Sequence, residues 1–270
     1  MIFYFSGCGN SKHVAETLAA GLNDTLTFIP EAARENHYEY ELAEGERLGF
    51  VFPIYSWAPP RLVLDFVEKM TVKVPEPAVP EAPRRVEGPT SKLYLYFACT
   101  CGDNCGLTEK VFRKAVEEKG WSLSACFSVQ MPETYIGMAG FKLDSPENAQ
   151  LKIEKADDLL RKNISRLVNR ESFTELVVGS LAWLKTYLVN PGFNRSATDD
   201  SKYNVSEACI HCGKCAEVCP LKNITMEDGH PKWNGHCTMC MGCYHHCPVN
   251  AIQYGKATEG KGQYYFGIKG

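Results

Sequence analysis

The sequence predicts an α/β chain: a doubly wound parallel sheet over about residues 1–170, then a small cysteine-rich α+β unit over about 203–255. Three observations carry this. Short apolar runs alternate with helical patterns from Met1 to Val168, which implies a parallel sheet with right-handed crossovers. Three of these runs end in loops rich in glycine, hydroxyl or aromatic residues. The motif C-x-x-C-x-x-C-x-x-x-C-P occurs twice between Cys209 and Pro248, as CIHCGKCAEVCP and CTMCMGCYHHCP.

The elements follow in order. Met1–Phe5 is a strand, and Ser6–Ser11 (SGCGNS) is a small-residue loop that opens a helix at Lys12–Leu22. Strand, loop and helix together build an anion site, because free N–H groups at a helix start favour negative charge. The loop lacks the lysine-ended glycine pattern of a Walker A site and the third glycine of a dinucleotide fingerprint. Leu26–Pro30 reads as the second strand, Leu48–Pro53 as the third and Lys92–Ala98 as the fourth. The third is followed by IYSWAPP and the fourth by CTCGDNCG. Arg61–Met70 and Leu107–Lys119 read as helices, Leu123–Met131 as the fifth strand, and Pro146–Val168 as a long amphipathic helix on the sheet's flank. Lys73–Pro89 is proline-rich, hence a surface insert, and the six glutamates of Glu31–Glu46 read as a solvated face. Residues 171–202 read as a helix and linker: Leu176–Val189 as an amphipathic helix docked on protein, and NPGFNRSATDD as the linker. Residues 256–270 read as a tail.

Composition sets outer limits. The net charge of −3 leaves no basic stripe for nucleic acid. No apolar run approaches the roughly 20 residues that span a membrane. Thirteen cysteines with no leader-like segment point to a reducing cytoplasm and against disulfides.

The two cysteine runs resemble those of bacterial two-cluster ferredoxins from Tyr203 to about Tyr254. Structural zinc sites group their cysteines as two pairs, whereas here three come together before a fourth and a proline. The resemblance implies that Cys209, Cys212, Cys215 and Cys247 hold one [4Fe-4S] cluster and that Cys237, Cys240, Cys243 and Cys219 hold another. Each run ends in a short β-like tail, Asn223–Thr225 and Asn250–Tyr254, and the two tails are expected to pair across the pseudo-twofold axis.

The first part resembles the flavodoxins, whose sheet order 2-1-3-4-5 brings the loops after strands one, three and four to one edge, where FMN binds. The resemblance implies phosphate contacts from Ser6, Gly7, Cys8, Gly9, Asn10 and Ser11. It implies ring contacts from Pro53, Tyr55, Ser56 and Trp57, and contacts to the ring's polar edge from Thr100, Cys101, Gly102 and Asp103. Cys8 departs from the pattern, since a thiol stands where a hydroxyl is usual, and bound flavin requires it protonated. A different reading assigns Cys8, Cys99, Cys101 and Cys105 to a third metal centre in place of FMN. His211, His236, His245 and His246 read as exposed loop residues beside a complete set of thiolates.

The whole chain resembles flavodoxin–ferredoxin fusion proteins of anaerobic bacteria. The resemblance implies transfer of electrons between two [4Fe-4S] clusters and FMN, with other redox proteins as partners. The alternative is an FMN-dependent reductase of a small organic substrate, with Ser122–Gly140, above all Met131–Gly140, lining the pocket and Tyr135 as proton donor. No nucleophile elbow supports hydrolysis.

Overall fold

The computed structural model describes residues 1–74, 93–138, 140–196 and 199–267. Strands β1 (Ile2–Tyr4), β2 (Leu26–Phe28), β3 (Glu39–Glu41), β4 (Arg47–Pro53), β5 (Thr71–Lys73), β6 (Tyr94–Cys101), β7 (Leu123–Gln130) and β8 (Phe173–Glu175) form the first part. Six of them make one parallel sheet in the order β2-β1-β4-β6-β7-β8. This is the flavodoxin-like order with one further edge strand, β8. The remaining two, β3 and β5, pair parallel with each other.

All eight residues of β6 are buried, as expected of a central parallel strand covered on both faces. Helices α1 (Asn10–Leu22) and α5 (Pro146–Val168) cover one face, packing Val14, Leu18 and Leu160 onto Ile2, Tyr96 and Phe127. Helices α2 (Ile29–Arg34), α3 (Arg61–Lys69) and α4 (Thr108–Glu117) cover the other, where Phe112 packs against Phe50, Phe52 and Phe97. Helix α5 starts as its sequence dictates: Ser145 Oγ accepts from Asn148 N at 3.3 Å and Pro146 occupies the first turn.

Three local expectations are corrected. The second strand stops at Phe28, because Pro30 suits the first turn of α2, where no N–H is needed. Leu176–Val189 is not one helix: helical structure begins at α6 (Ala182–Leu184), after Leu181 in the left-handed region. It then runs through a π-helical stretch, Lys185–Val189, into α7 (Asn190–Ser196), so part of the expected linker is helical. The proline-rich insert lies outside the described residues from 75 onward. Glu31, Glu35, Glu39, Glu41 and Glu44 are exposed, as a solvated face requires.

The cysteine-rich part carries β9 (Tyr203–Val205), β10 (Ile224–Glu227), β11 (His230–Trp233) and β12 (Ile252–Tyr254), with short helices α8 (Lys214–Val218) and α9 (Gly242–His245). The two tails do not pair with each other. Instead β10 folds back on β11 through Asp228-Gly229, both at positive φ, the backbone of a tight hairpin, and β12 pairs with β9. Tyr203 centres this unit, stacked on Trp233 at 5.0 Å and edge-on to Tyr254 at 4.9 Å.

The chain beyond β12 returns to the sheet. Phe266 N donates to Cys8 O at 2.8 Å, the Phe266 ring stacks on His13 at 4.2 Å, and Tyr264 Oη pairs with Asn10 Oδ1 at 3.2 Å. Among the described residues no helix is long and apolar enough to cross a membrane.

Candidate functional site

The two cysteine runs repeat with an offset of 28 residues, and the fold repeats with them. His211 and Met239 take the left-handed conformation at equivalent positions, as do Gly213 and Met241, curling each run so that three sulfurs face one point. The fourth cysteine of each run crosses over. One small cavity is lined by Cys209, Cys212, Cys215 and Cys247, and another by Cys219, Cys237, Cys240 and Cys243. Backbone N–H groups point at sulfur in a matched way, Asn223 N to Cys219 at 3.3 Å and Ala251 N to Cys247 at 3.2 Å. Met239 N adds a bond to Cys237 at 3.2 Å. Such bonds stabilise thiolate sulfur and tune a bound cluster.

The donor set fits a cationic inorganic core. Burial pushes the Cys237 thiol up to about 11, and burial with the neighbouring Cys237 pushes Cys240 up to about 12. Four thiolates in such a place need a strong positive counter-charge, which a metal provides.

The sheet's carboxyl edge holds a cavity of about 700 Å³. Three loops expected from the sequence converge there. Ser6, Gly7, Cys8, Asn10 and Ser11 line it from the first, Pro53, Tyr55, Ser56 and Trp57 from the second, and Thr100, Cys101, Gly102 and Asp103 from the third. Gly9 does not line it: with φ of +93° it turns towards Phe266, and a side chain there would press on that ring's Cβ. Thr100 and Cys101 belong to the end of β6 rather than to a loop.

The first loop is suited to an anion. Gly9 has no side chain to cap α1, and its own N donates to Ser6 Oγ at 3.1 Å, so a thirteen-residue helix points its N-terminus at this loop without a side-chain cap. Ser11 Oγ bonds Thr100 Oγ1 at 2.7 Å, tying the first loop to the third, and Asn10 Nδ2 donates to Pro132 O at 2.8 Å. In the second loop Ser56 and Trp57 both have positive φ, and Tyr55 and Ala58 bridge around them. Such backbone strain clusters at binding sites, and the irregular helix holds it in place. Thr186 Oγ1 donates to Trp57 O at 2.9 Å, Asn190 Nδ2 donates to Tyr55 O at 2.9 Å, and Lys185 Nζ lies 5.1 Å from the Trp57 ring centroid.

The cysteine-rich part forms a further wall of the same cavity. Cys240, Met239, Met241 and Tyr254 line it, and Cys240 sits directly on the first loop. A Cβ at position 7 would overlap the Cys240 side chain and stand 3.1 Å from its Sγ, so glycine is needed for the approach. Cys8 Sγ donates to Cys240 O at 3.2 Å. Burial, then the thiols of Cys240 and Cys243, raise Cys8 well above the ordinary thiol range, so it keeps its proton and adds no charge where an anion is to bind.

The thiols suggested for a third metal centre divide into two neighbourhoods. Cys8 faces Cys240, whereas Cys99 and Cys105 hydrogen-bond to each other inside the sheet domain, beside Cys101 and Cys126. Of the histidines, His211 and His236 are exposed, but His245 is buried and His246 half-buried, a correction. Its Nδ1 accepts from Tyr264 N at 3.2 Å and its Nε2 donates to Thr134 O at 2.7 Å, pinning the two parts together. His211 and His230 bring nitrogens near Cys209 Sγ, at the rim of the first cysteine cavity.

Sequence reasoning missed two sets of lining residues. Leu188, Val189 and Phe193 come from the irregular helix, and Met239, Met241 and Tyr254 from the cysteine-rich part, whereas Glu133 lies in the Met131–Gly140 segment expected at the pocket. The π-helical stretch Lys185–Val189 carries no local signature, and the approach of the cysteine-rich part to the cavity joins positions far apart in sequence.

Residues 193–252 match the 4Fe-4S dicluster domain family. No curated protein matches the chain by sequence. Similar solved structures include the Trp repressor binding protein from Bacillus subtilis, at 15% identity over 62% of this chain and 97% of that one, with a TM-score of 0.35. Another is an azoreductase from Bacillus anthracis, at 14% identity over 62% of this chain and 99% of that one, with a TM-score of 0.34. The chain therefore carries a 4Fe-4S dicluster segment behind a six-stranded parallel sheet.

Proposed function

We propose that this protein is an electron-transfer flavo-iron–sulfur protein with FMN in the sheet-edge cavity and a [4Fe-4S] cluster in each cysteine cavity. Cys209, Cys212, Cys215 and Cys247 hold one cluster, and Cys219, Cys237, Cys240 and Cys243 hold the other. Bound, the clusters supply single electrons and the flavin stores one or two, so the pair connects one-electron and two-electron chemistry. The observation that carries the reading is the seating of Cys240, a ligand of the second cluster, on Gly7 and Cys8 of the phosphate loop.

The chain's own residues do the positioning. The start of α1 binds the phosphate, Tyr55 and Trp57 flank the ring, and the irregular helix holds their strained turn shut through Thr186 and Asn190. Ile210 and Val249 leave apolar surface beside the first cluster, 56% and 39% exposed, where a partner redox protein docks. Anaerobic purification followed by flavin release and iron analysis tests this. The expectation is one FMN and about eight iron atoms per chain. Iron without flavin, or about half that iron, contradicts it.

A second reading, an FMN-dependent reductase of a small organic substrate, is favoured by the reach of the cavity beyond the flavin loops. Tyr135, Met138, Phe141, Leu188, Val189 and Phe193 form an apolar annex, with Tyr135 edge-on to Phe141 and Phe193 at 5.2 and 5.9 Å. Turnover of an apolar acceptor without any protein partner selects this reading, and absence of turnover with a panel of such acceptors selects the carrier.

A further inference from the structure

One partly buried carboxyl enters the proposed flavin cavity and is not needed to hold the fold's elements together. Glu133 follows β7, and its two oxygens have different surroundings. Oε1 accepts from Thr134 N at 2.9 Å and Tyr135 N at 2.8 Å, which fixes the side chain. Oε2 lies on Gly102, in the loop expected at the ring's polar edge, and any Cβ at 102 would overlap it. Asp103, the other carboxyl lining the cavity, is exposed.

The charges around Glu133 leave it weakly compensated. Lys152 Nζ is taken by Asp144 Oδ2 at 2.7 Å and by Gly102 O at 2.8 Å, and the same Asp144 oxygen accepts from Glu133 N at 2.8 Å. Burial raises the Glu133 carboxyl above the ordinary carboxylate range, with Asp144 in the same direction; Tyr135 N, Thr134 N and Lys152 oppose it. The other ionisable groups facing it hold their protons near neutrality. Burial pushes the Tyr135 phenol up to about 12 and the Cys101 thiol further above its own range.

We propose that Glu133 is the proton-exchanging residue of this cavity, carrying on Oε2 a proton that passes to a ring nitrogen of bound flavin when the ring is reduced. The inference rests on the FMN reading. Two-electron reduction of the ring takes up two electrons and two protons. The electrons come one at a time from an iron–sulfur donor or from a chemical reductant such as dithionite. Below its titration Glu133 supplies one of these protons and stays ionised beside the reduced ring while water supplies the other; above it, water supplies both. A carboxyl whose proton is held more firmly than usual and whose side chain is fixed in place suits such a transfer.

The test is potentiometry of the FMN-loaded full chain from the ordinary carboxylate range upward through neutrality, for the wild type and Glu133→Gln. Glutamine keeps an oxygen for the N–H groups of Thr134 and Tyr135. The wild-type plot of flavin midpoint potential against pH is expected to break where Glu133 titrates, and the break is expected to vanish in E133Q. Infrared spectra of the oxidised wild type are expected to show a protonated carboxyl band that falls as pH rises along the same curve. Superimposable plots for the two proteins, or a wild-type plot with no break, overturn the role of Glu133. A wild type that takes up no FMN overturns the flavin reading and this inference with it.

Discussion

Strand β6 buries all eight of its residues between two apolar layers, whereas no strand of the cysteine-rich part is longer than four residues, and β10 buries one of its four. The sheet domain closes around stacked and edge-on phenylalanines. The other part closes around Tyr203, Tyr244, a few aliphatic side chains and eight cysteines. The contrast teaches that one region folds on hydrophobic burial and the other on what its thiols hold, because a unit of about 50 residues seldom buries enough apolar surface by itself. The interface between them is therefore where a stable scaffold orients a metal-dependent one.

Removing the iron gives the largest expected effect. Anaerobic chelation should abolish fixed tertiary structure beyond Tyr203 and leave the sheet intact, and Cys240→Ser should remove about half the iron. Iron analysis with limited proteolysis checks both, and protease resistance of the iron-free cysteine-rich part would erase the contrast. Phe112→Ala acts on the opposite side. It empties a fully buried site among Phe50, Phe52 and Phe97, and should cost ~3–5 kcal/mol in denaturant unfolding of the sheet with iron content unchanged. Gly7→Ala strikes the seam, where overpacking against Cys240 should cost about 1–3 kcal/mol and lower flavin retention more than iron retention. The measurement is flavin and iron content of the same preparation.

The smallest effect belongs to the sheet's edge. A hydrogen bond from Lys162 holds the Glu175 carboxyl below its ordinary value, with Lys162 Nζ at 2.7 Å and Arg166 Nη1 at 3.0 Å. A lowered carboxyl contributes stability above its unfolded-state pKa and loses it as pH falls through the folded-state value. Glu175 is partly exposed, so Glu175→Gln should cost only ~0.2–1 kcal/mol at neutral pH, the difference disappearing in acid. Parallel denaturant titrations at the two pH values measure it.

The cysteine runs were legible because their ligands lie two or three residues apart and carry their geometry locally. The loops after β1, β4 and β6 were legible because apolar runs ending in glycines or aromatics mark the carboxyl edge of a parallel sheet. The crossed grouping of Cys219 and Cys247 came from the ferredoxin resemblance, and the four-cysteine cavities match it. What the chain does over long separations was not legible. The seat of Cys240 on Gly7 joins residues more than two hundred positions apart, and β8 has only three residues, too few for a periodic pattern. His245 looked like a loop residue because its two partners, Thr134 O and Tyr264 N, come from distant segments. The Met131–Gly140 segment was legible as pocket lining, but Glu133 was not singled out within it because its meaning depends on Gly102 and on Lys152 being engaged elsewhere.

The most direct test of the internal link is an anaerobic optical titration of the isolated protein with a one-electron reductant. The account predicts that flavin absorbance bleaches together with cluster absorbance, at a rate independent of protein concentration. Clusters that become reduced while the flavin of the same molecule stays oxidised would contradict it.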